Sequence, residues 1–316
     1  MKLKSLLFIA IVTVVFCGCQ SNYQPTSITV ASYNLRNANG GDSVRGNGWG
    51  QRYPVIAQMV QYHDFDIFGT QECFIHQLKD MKEALPGYDY IGVGRDDGKE
   101  KGEHSAIFYR TDKFDVIEKG DFWLSETPDV PSKGWDAVLP RICSWGHFKC
   151  KDTGFEFLFF NLHMDHIGKK ARVESAFLVQ DKMKELGKGK ELPAILTGDF
   201  NVDQTHQSYD AFVSKGVLCD SYEKAGFRYA INGTFNNFDP NSFTESRIDH
   251  IFVSPSFQVK RYGVLTDTYR SIVGKGEKKQ ANDCPEEIDI KTYQARTPSD
   301  HFPVKVELEF DQRQQK

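Results

Sequence analysis

Ala194-Ile195-Leu196-Thr197-Gly198-Asp199-Phe200-Asn201 is an apolar run that ends in a glycine, an acid and an amide. Pro193 precedes it, and its length suits a buried strand rather than a helix. Alternate residues of a strand share a face, so Asp199 and Asn201 project together if extended geometry persists past the run. Gly198 leaves room for something to approach the backbone. A carboxylate beside an amide can position water near a metal or a phosphate. The same residues also describe an Asx turn after a strand. Recurrence of the pattern elsewhere in the chain weighs between the two.

It does recur. Residues 28–34 alternate as a strand and end at Asn34, with Arg36 two residues on; 65–72 end in Glu72; a strand from 155 leads into Asn161-Leu162-His163-Met164-Asp165-His166. Asp249 lies inside the strand-like run 247–253, and Asp300-His301 precede a terminal strand, 304–310. Between these, Pro54 suits the first turn of a helix with Val55, Ile56, Met59, Val60 and His63 on one face. Further helices are expected at 75–85, 171–186 and 208–214. Residues 105–110 with 114–118, and 141–151 with 155–161, read as two hairpins. Hairpins beside βα units indicate a mixed α/β sandwich rather than a doubly wound parallel sheet.

The first residues read differently. Met1-Lys2-Leu3-Lys4 is basic, Leu6 to Phe16 is apolar but too short to span a bilayer, and Phe16-Cys17-Gly18-Cys19 is a small-residue cleavage site. This order predicts a bacterial lipoprotein signal over 1–18, lipidation at Cys19, a tether over 19–27 and one domain over 28–311. The expected location is the cell envelope, on its periplasmic or surface face, with membrane contact through the lipid anchor only. The formal charge of −4 falls to −6 without Lys2 and Lys4, which argues against a protein that coats long nucleic acid. A metal-dependent enzyme is compatible with it, because a cation neutralises substrate phosphate locally. Five cysteines follow Cys19, at 73, 143, 150, 219 and 284; their spacing fits no framework, and most read as buried thiols.

Carboxylates and amides at strand ends, without a Cys/His cluster, suit a hard cation such as Mg2+ or Mn2+. Histidines beside acids suit proton transfer or charge stabilisation. Together they point to metal-assisted hydrolysis of a phosphoester. At this level the series Asn34, Gln71-Glu72, Asn161-Leu162-His163, Gly198-Asp199-Phe200-Asn201, Arg247-Ile248-Asp249 and Ser299-Asp300-His301 resembles, in order, the motifs of the endonuclease/exonuclease/phosphatase superfamily. The resemblance implies a DNase I-like α/β (α+β) fold, a four-layered αββα sandwich of two mixed sheets flanked by helices. It implies a divalent metal, usually Mg2+. Glu72 resembles the principal metal ligand, with Asn34 and Asp300 beside it. Asp199 and Asn201 resemble the pair that orients water and phosphate, His301 the catalytic histidine and Asp249 its orienting carboxylate. His163 resembles the second histidine; which of the two is acid and which base stays open.

Other polar residues read more plainly. Asp165 is expected to cap the following helix, and His166 and His250 to lie behind the site or on the surface. Arg141 is equally suited to phosphate or to an acid partner. Asp96 and Glu103 are expected to decorate a loop. The charged segment 268–296 is expected to be a long loop over the metal site. Arg36 departs from the Asn-x-Asp of abasic-site nucleases, and the Arg-Ile-Asp-His-Ile-Phe and Pro-Ser-Asp-His series look closest to the RNA-exonuclease-like branch and its bacterial relatives. The expected activity is a 3′-exonuclease-like nuclease or a nucleotide or sugar phosphatase, acting as a monomer. Two alternatives are a sphingomyelinase-type phosphodiesterase, with Phe122-Trp123 and Trp135 as a membrane hairpin, and a non-catalytic binding protein of the same fold.

Overall fold

The computed structural model describes residues 25–187, 189, 191–274, 285, 288 and 290–311. The predicted signal, Cys19, most of the tether, Cys284 and part of the 268–296 segment lie outside these residues. In order, the elements are β1 (Thr26–Asn34), α1 (Gly40–Val44), α2 (Trp49–Tyr62), β2 (Ile67–Gln71), α3 (Ile75–Ala84), β3 (Tyr88–Ile91), β4 (Ile107–Arg110) and β5 (Phe114–Trp123). Then come β6 (Ile142–Cys150), β7 (Glu156–His163), α4 (Lys169–Leu186), β8 (Ala194–Asp199), α5 (Gln207–Val213), β9 (Cys219–Asp220), α6 (Ser221–Lys224) and β10 (Phe227–Tyr229). The last are β11 (Asp249–Val253), β12 (Gln258–Val264), β13 (Tyr269–Ile272), β14 (Tyr293–Arg296) and β15 (Val304–Phe310).

Two mixed sheets form. The seven-stranded one runs β10-β12-β15-β1-β2-β4-β3 and the six-stranded one β5-β6-β7-β8-β11-β9. Strand periodicity explains how they stack. In β7, Phe157 and Phe159 face the inter-sheet core with Phe148, Ile195 and Val306, while Leu158, Phe160 and Leu162 face a second core with Ala176, Val179 and Phe212 of α4 and α5. On the other sheet, Ile28 and Val30 point inward, and Ala31 and Tyr33 point out to Ile56, Met59 and Met81 of α2 and α3. The layers are therefore helix, sheet, sheet, helix, as expected. Each buried phenylalanine of the middle layer contributes about 1.5–3 kcal/mol.

A polar clamp ties the sheets together. Asn161, wholly buried, donates through Nδ2 to the carbonyls of Thr70 (2.9 Å) and Ala106 (3.0 Å), and accepts from Gln71 Nε2 (2.8 Å) and Thr197 Oγ1 (3.0 Å). Gly69 permits this approach, because a Cβ there would lie 2.2 Å from Asn161 Oδ1.

Several local expectations change. Residues 105–110 and 114–118 form no hairpin: β4 pairs with β2 and β3, and β5 pairs with β6. The 111–113 turn carries the chain between sheets, because Phe114 packs on Phe148 and Phe157 of the six-stranded sheet. The second helix starts at Trp49, not at Pro54, which lies inside it. The ends of the 268–296 segment pair as β13 and β14 rather than forming a plain loop. Phe122 and Trp123 are buried, not presented as a membrane hairpin. Cys73, Cys143, Cys150 and Cys219 are free thiols. Among the described residues, no helix is long and apolar enough to cross a membrane.

Candidate active site

The inward-facing series of four strands end in polar residues at one edge of the sandwich. After Phe157, Phe159 and Asn161 comes His163; after Ile195 and Thr197 comes Asp199; before Ile251 and Val253 comes Asp249; after Ile28 and Val30 comes Asn34. Parallel pairing places Asn34 beside Gln71, and His163 beside Asp199, while antiparallel pairing sets Asp249 opposite Asp199. Asp300 and His301 enter from the segment before β15. All eight expected site residues thus meet, and all but Asn34 and Asp249 line one cleft of about 460 Å3. Those two stand behind it, bonded to its lining.

Asp199 is the hub. Its Oδ1 accepts the Asn201 amide N–H (2.9 Å), and its Oδ2 accepts from Asn34 Nδ2 (3.0 Å). The same Oδ2 stands 3.6 Å from His163 Nε2 and 3.8 Å from His301 Nε2. Extended geometry stops at Asp199, because Asn201 has φ 51°. The Asx turn is therefore realised, and Asp199 and Asn201 do not project from one strand face: the turn redirects the Asn201 amide onto His163 Nε2 (3.0 Å) and the Met164 carbonyl (3.0 Å). Since a carbonyl can only accept, Nδ2 is the donor there, and His163 Nε2 accepts. His163 is then the neutral Nδ1–H tautomer.

His301 differs. Its Nδ1 hydrogen-bonds Asp249 Oδ2 at 2.8 Å. Burial opposes charge on this ring, but the Asp249 carboxylate, its hydrogen bond and Asp199 together hold His301 well above the ordinary histidine range. Burial, then the charges of Arg141 and Arg95, hold His163 well below it. Burial and the Asp249 charge push Asp199 up to about 7, against the pull of His301.

A second cluster lies beside the hub. Glu72, in the left-handed region at φ 67°, turns out of β2. Its Oε1 accepts from Asn34 (3.1 Å), and its Oε2 from the Asn37 backbone (3.1 Å) and side chain (3.0 Å). Arg36 Nη1 stands 3.4 Å from Asp300 Oδ2 and 3.9 Å from Glu72 Oε2. Burial pushes the Asp300 carboxyl up, and the Glu72 charge adds to this. The buried Asp300 carboxylate, the half-buried Glu72 carboxylate and the Asn34 amide make an oxygen donor set that fits a hard divalent cation, and the Arg36 guanidinium already drawn between the acids shows the pull of that place on positive charge. Asp199, Asp249 and His301 also bring ligand-capable atoms within 4.8 Å of one another. There, however, the Nδ1–carboxylate hydrogen bond engages the imidazole, so the trio reads better as a proton-holding unit than as a cage.

The remaining expectations divide. Asp165 accepts from the Ile167 (3.0 Å) and Gly168 (2.7 Å) amides, holding the turn before α4, while Asp136 caps Ala171 (2.7 Å). Arg141 precedes β6; its Nε is 3.4 Å from Asp165 and its Nη2 is 3.0 Å from His166 Nδ1. His250 faces away from the site, stacked on Phe252 under α5, because its position has the parity opposite to Asp249. Glu103 is not loop decoration: it lines the cleft and pairs with Arg95 at 2.6 Å. Asn37, Arg95 and Phe235 were not expected here. Only the surrounding charged, glycine-punctuated loop hinted at Arg95. Among the described residues, none from 268–296 lines the cleft.

Comparison with known proteins agrees with this geometry. The model of the Endonuclease/Exonuclease/phosphatase family matches residues 31–301. A Bacteroides thetaiotaomicron structure named mannosyl-6-phosphatase is 86% identical, with 90% of this chain and 100% of that chain covered and a TM-score of 0.83. An endonuclease/exonuclease/phosphatase from Bacteroides vulgatus is 37% identical over 90% of this chain and 100% of that one, with a TM-score of 0.77. An uncharacterised protein of Acanthamoeba polyphaga mimivirus is 30% identical over 276 residues, 83% of this chain and 92% of its own. The chain belongs to the endonuclease/exonuclease/phosphatase family, with a DNase I-like fold, and is a metal-dependent phosphoester hydrolase.

Proposed function

We propose that this protein is a Mg2+-dependent phosphomonoesterase that removes the terminal phosphate of a sugar phosphate, with mannose 6-phosphate or a mannosyl 6-phosphate as the substrate class. The observation that carries the reading is the 86% identity, across the whole of its partner, to a structure named for that activity. A cleft of about 460 Å3 suits a small molecule. Asn34, Glu72 and Asp300 would hold the cation, which when bound neutralises phosphate charge and organises the phosphoryl group.

The chain's own residues divide the rest. Asp199, with a pKa pushed up to about 7, accepts a proton from the attacking water, which Asn201 helps to orient. His301, kept protonated by Asp249, presents Nε2–H to the phosphoryl oxygen or the leaving alkoxide. This inverts the role of general base that resemblance suggests for His301. His163, neutral, completes the wall beside Asn201. The basic, apolar and small-residue order of residues 1–19 supports export and lipid anchoring at Cys19.

The test is a phosphoester panel with Mg2+ or EDTA: hexose 6-phosphates, inositol phosphates, nucleotides, single-stranded RNA, DNA and sphingomyelin. The reading predicts Mg2+-dependent release of phosphate from hexose 6-phosphates, lost in His301→Ala. Preferential cleavage of RNA or sphingomyelin would contradict it.

A further inference from the structure

Arg95 and Arg141 line the cleft beside His163, and both are more than nine-tenths buried. Neither has a place in the machinery above. Arg141 spends Nε on Asp165 (3.4 Å) and Nη2 on His166 (3.0 Å), and its Nη1 has no hydrogen-bond partner. Arg95 spends Nη1 on Glu103 (2.6 Å), and its Nε has no hydrogen-bond partner. Arg95 is held in place, since its carbonyl accepts the Trp123 indole N–H (2.7 Å) and its amide donates to the Glu103 carbonyl (3.0 Å). Two guanidinium groups repel each other, and burial raises the cost of leaving donors unmatched. Holding the Asp165 turn explains two arms of Arg141 but not the third. The missing acceptor is best supplied by an anion that arrives with the substrate.

The chemistry of the substrate says which anion. A phosphodiester offers two non-bridging oxygens and one negative charge. A phosphomonoester offers three and, near neutral pH, carries close to a second charge. We propose that Arg141, supported by Arg95, holds the third non-bridging oxygen of a terminal phosphoryl group, so that this pair makes the site select phosphomonoesters over diesters. The proposal rests on the phosphomonoesterase reading above and deepens it. A guanidinium suits the task because it stays charged and offers directed N–H groups to a phosphate.

The experiment measures kcat/KM of the purified full chain with Mg2+ on mannose 6-phosphate and on its methyl phosphodiester. It compares wild type with Arg141→Gln, Arg141→Lys and Arg95→Gln, and includes inhibition by inorganic phosphate. Arg141→Gln should lower monoester kcat/KM about 10- to 100-fold. The monoester-to-diester ratio should fall with it by about tenfold or more, and phosphate should inhibit more weakly. Arg141→Lys should recover part of the ratio. If Arg141→Gln does not fold, Arg95→Gln must shift the ratio in the same direction. Equal losses on both esters, or an unchanged ratio in these variants, would overturn the proposal while leaving the activity assignment in place. A wild-type protein that releases no phosphate from the monoester would overturn the activity assignment instead.

Discussion

The seven-stranded sheet and the six-stranded sheet bring different chemistry to the same seam. From the first come Asn34 at the end of β1, Glu72 just after β2 and Asp300 before β15, the oxygen donors suited to a cation. From the second come His163 of β7, Asp199 of β8 and Asp249 of β11, the groups to which the proposed function gives the water and the protons. His301 crosses over: it is carried by the first sheet's strand connection yet bonds Asp249 of the second at 2.8 Å. Each sheet places a parallel pair, β1 with β2 and β7 with β8, so that neighbouring strand ends deliver groups together. A site split in this way depends on the sheets staying in register, which is the task of the Asn161 clamp.

The division predicts distinct failures. Glu72→Gln on one side and Asp199→Asn or His301→Ala on the other should each lower kcat about a hundred- to ten-thousand-fold, with near-native melting temperatures. Normal turnover in any of them would remove that residue from the account. Asp249→Asn should act through pH. The carboxylate favours the imidazolium, so its loss lowers the His301 pKa, and the basic limb of the kcat/KM profile should move to lower pH. An unshifted limb would contradict a protonated His301.

The clamp should fail differently. Asn161→Leu leaves Gln71 and Thr197 without their buried partner, and should cost about 2–4 kcal/mol in urea unfolding. A loss below about 0.5 kcal/mol would mean that the seam is held by apolar packing alone. His250→Phe should do least. Although it neighbours Asp249, it faces the other way and makes one hydrogen bond, to the Val202 carbonyl at 3.0 Å. Stability should fall by about 1 kcal/mol and kcat should stay within about twofold. A large loss of kcat there would break the parity argument.

That parity was legible in the chain. Alternation along 155–163 and 194–199 fixes which residues face inward, and the polar residue closing each series became a site residue. Long-range choices were less legible. Nothing local tells Phe114 to join the other sheet, since its partners Phe148 and Phe157 lie far along the chain. Arg95 and Glu103 sit in a loop whose composition resembles solvated surface; their burial follows from backbone bonds such as Gly94 N–H to the Lys99 carbonyl (2.9 Å), which composition does not encode. Asn161 was singled out as part of a site motif, but its side chain serves the seam. Asp165 stops one step short of the helix cap expected of it: it holds the turn at Ile167 and Gly168, and the cap itself comes from Asp136, distant in the chain, which local sequence does not reveal.

The most direct test of a site divided between two sheets separates cation binding from turnover. Mg2+ titration by calorimetry should show binding to wild type and to His301→Gln with similar affinity, and severe weakening in Glu72→Gln, while both variants lose hydrolysis. Mg2+ binding that survives Glu72→Gln but disappears in His301→Gln would contradict the assignment and move the cation to the Asp199, Asp249 and His301 trio.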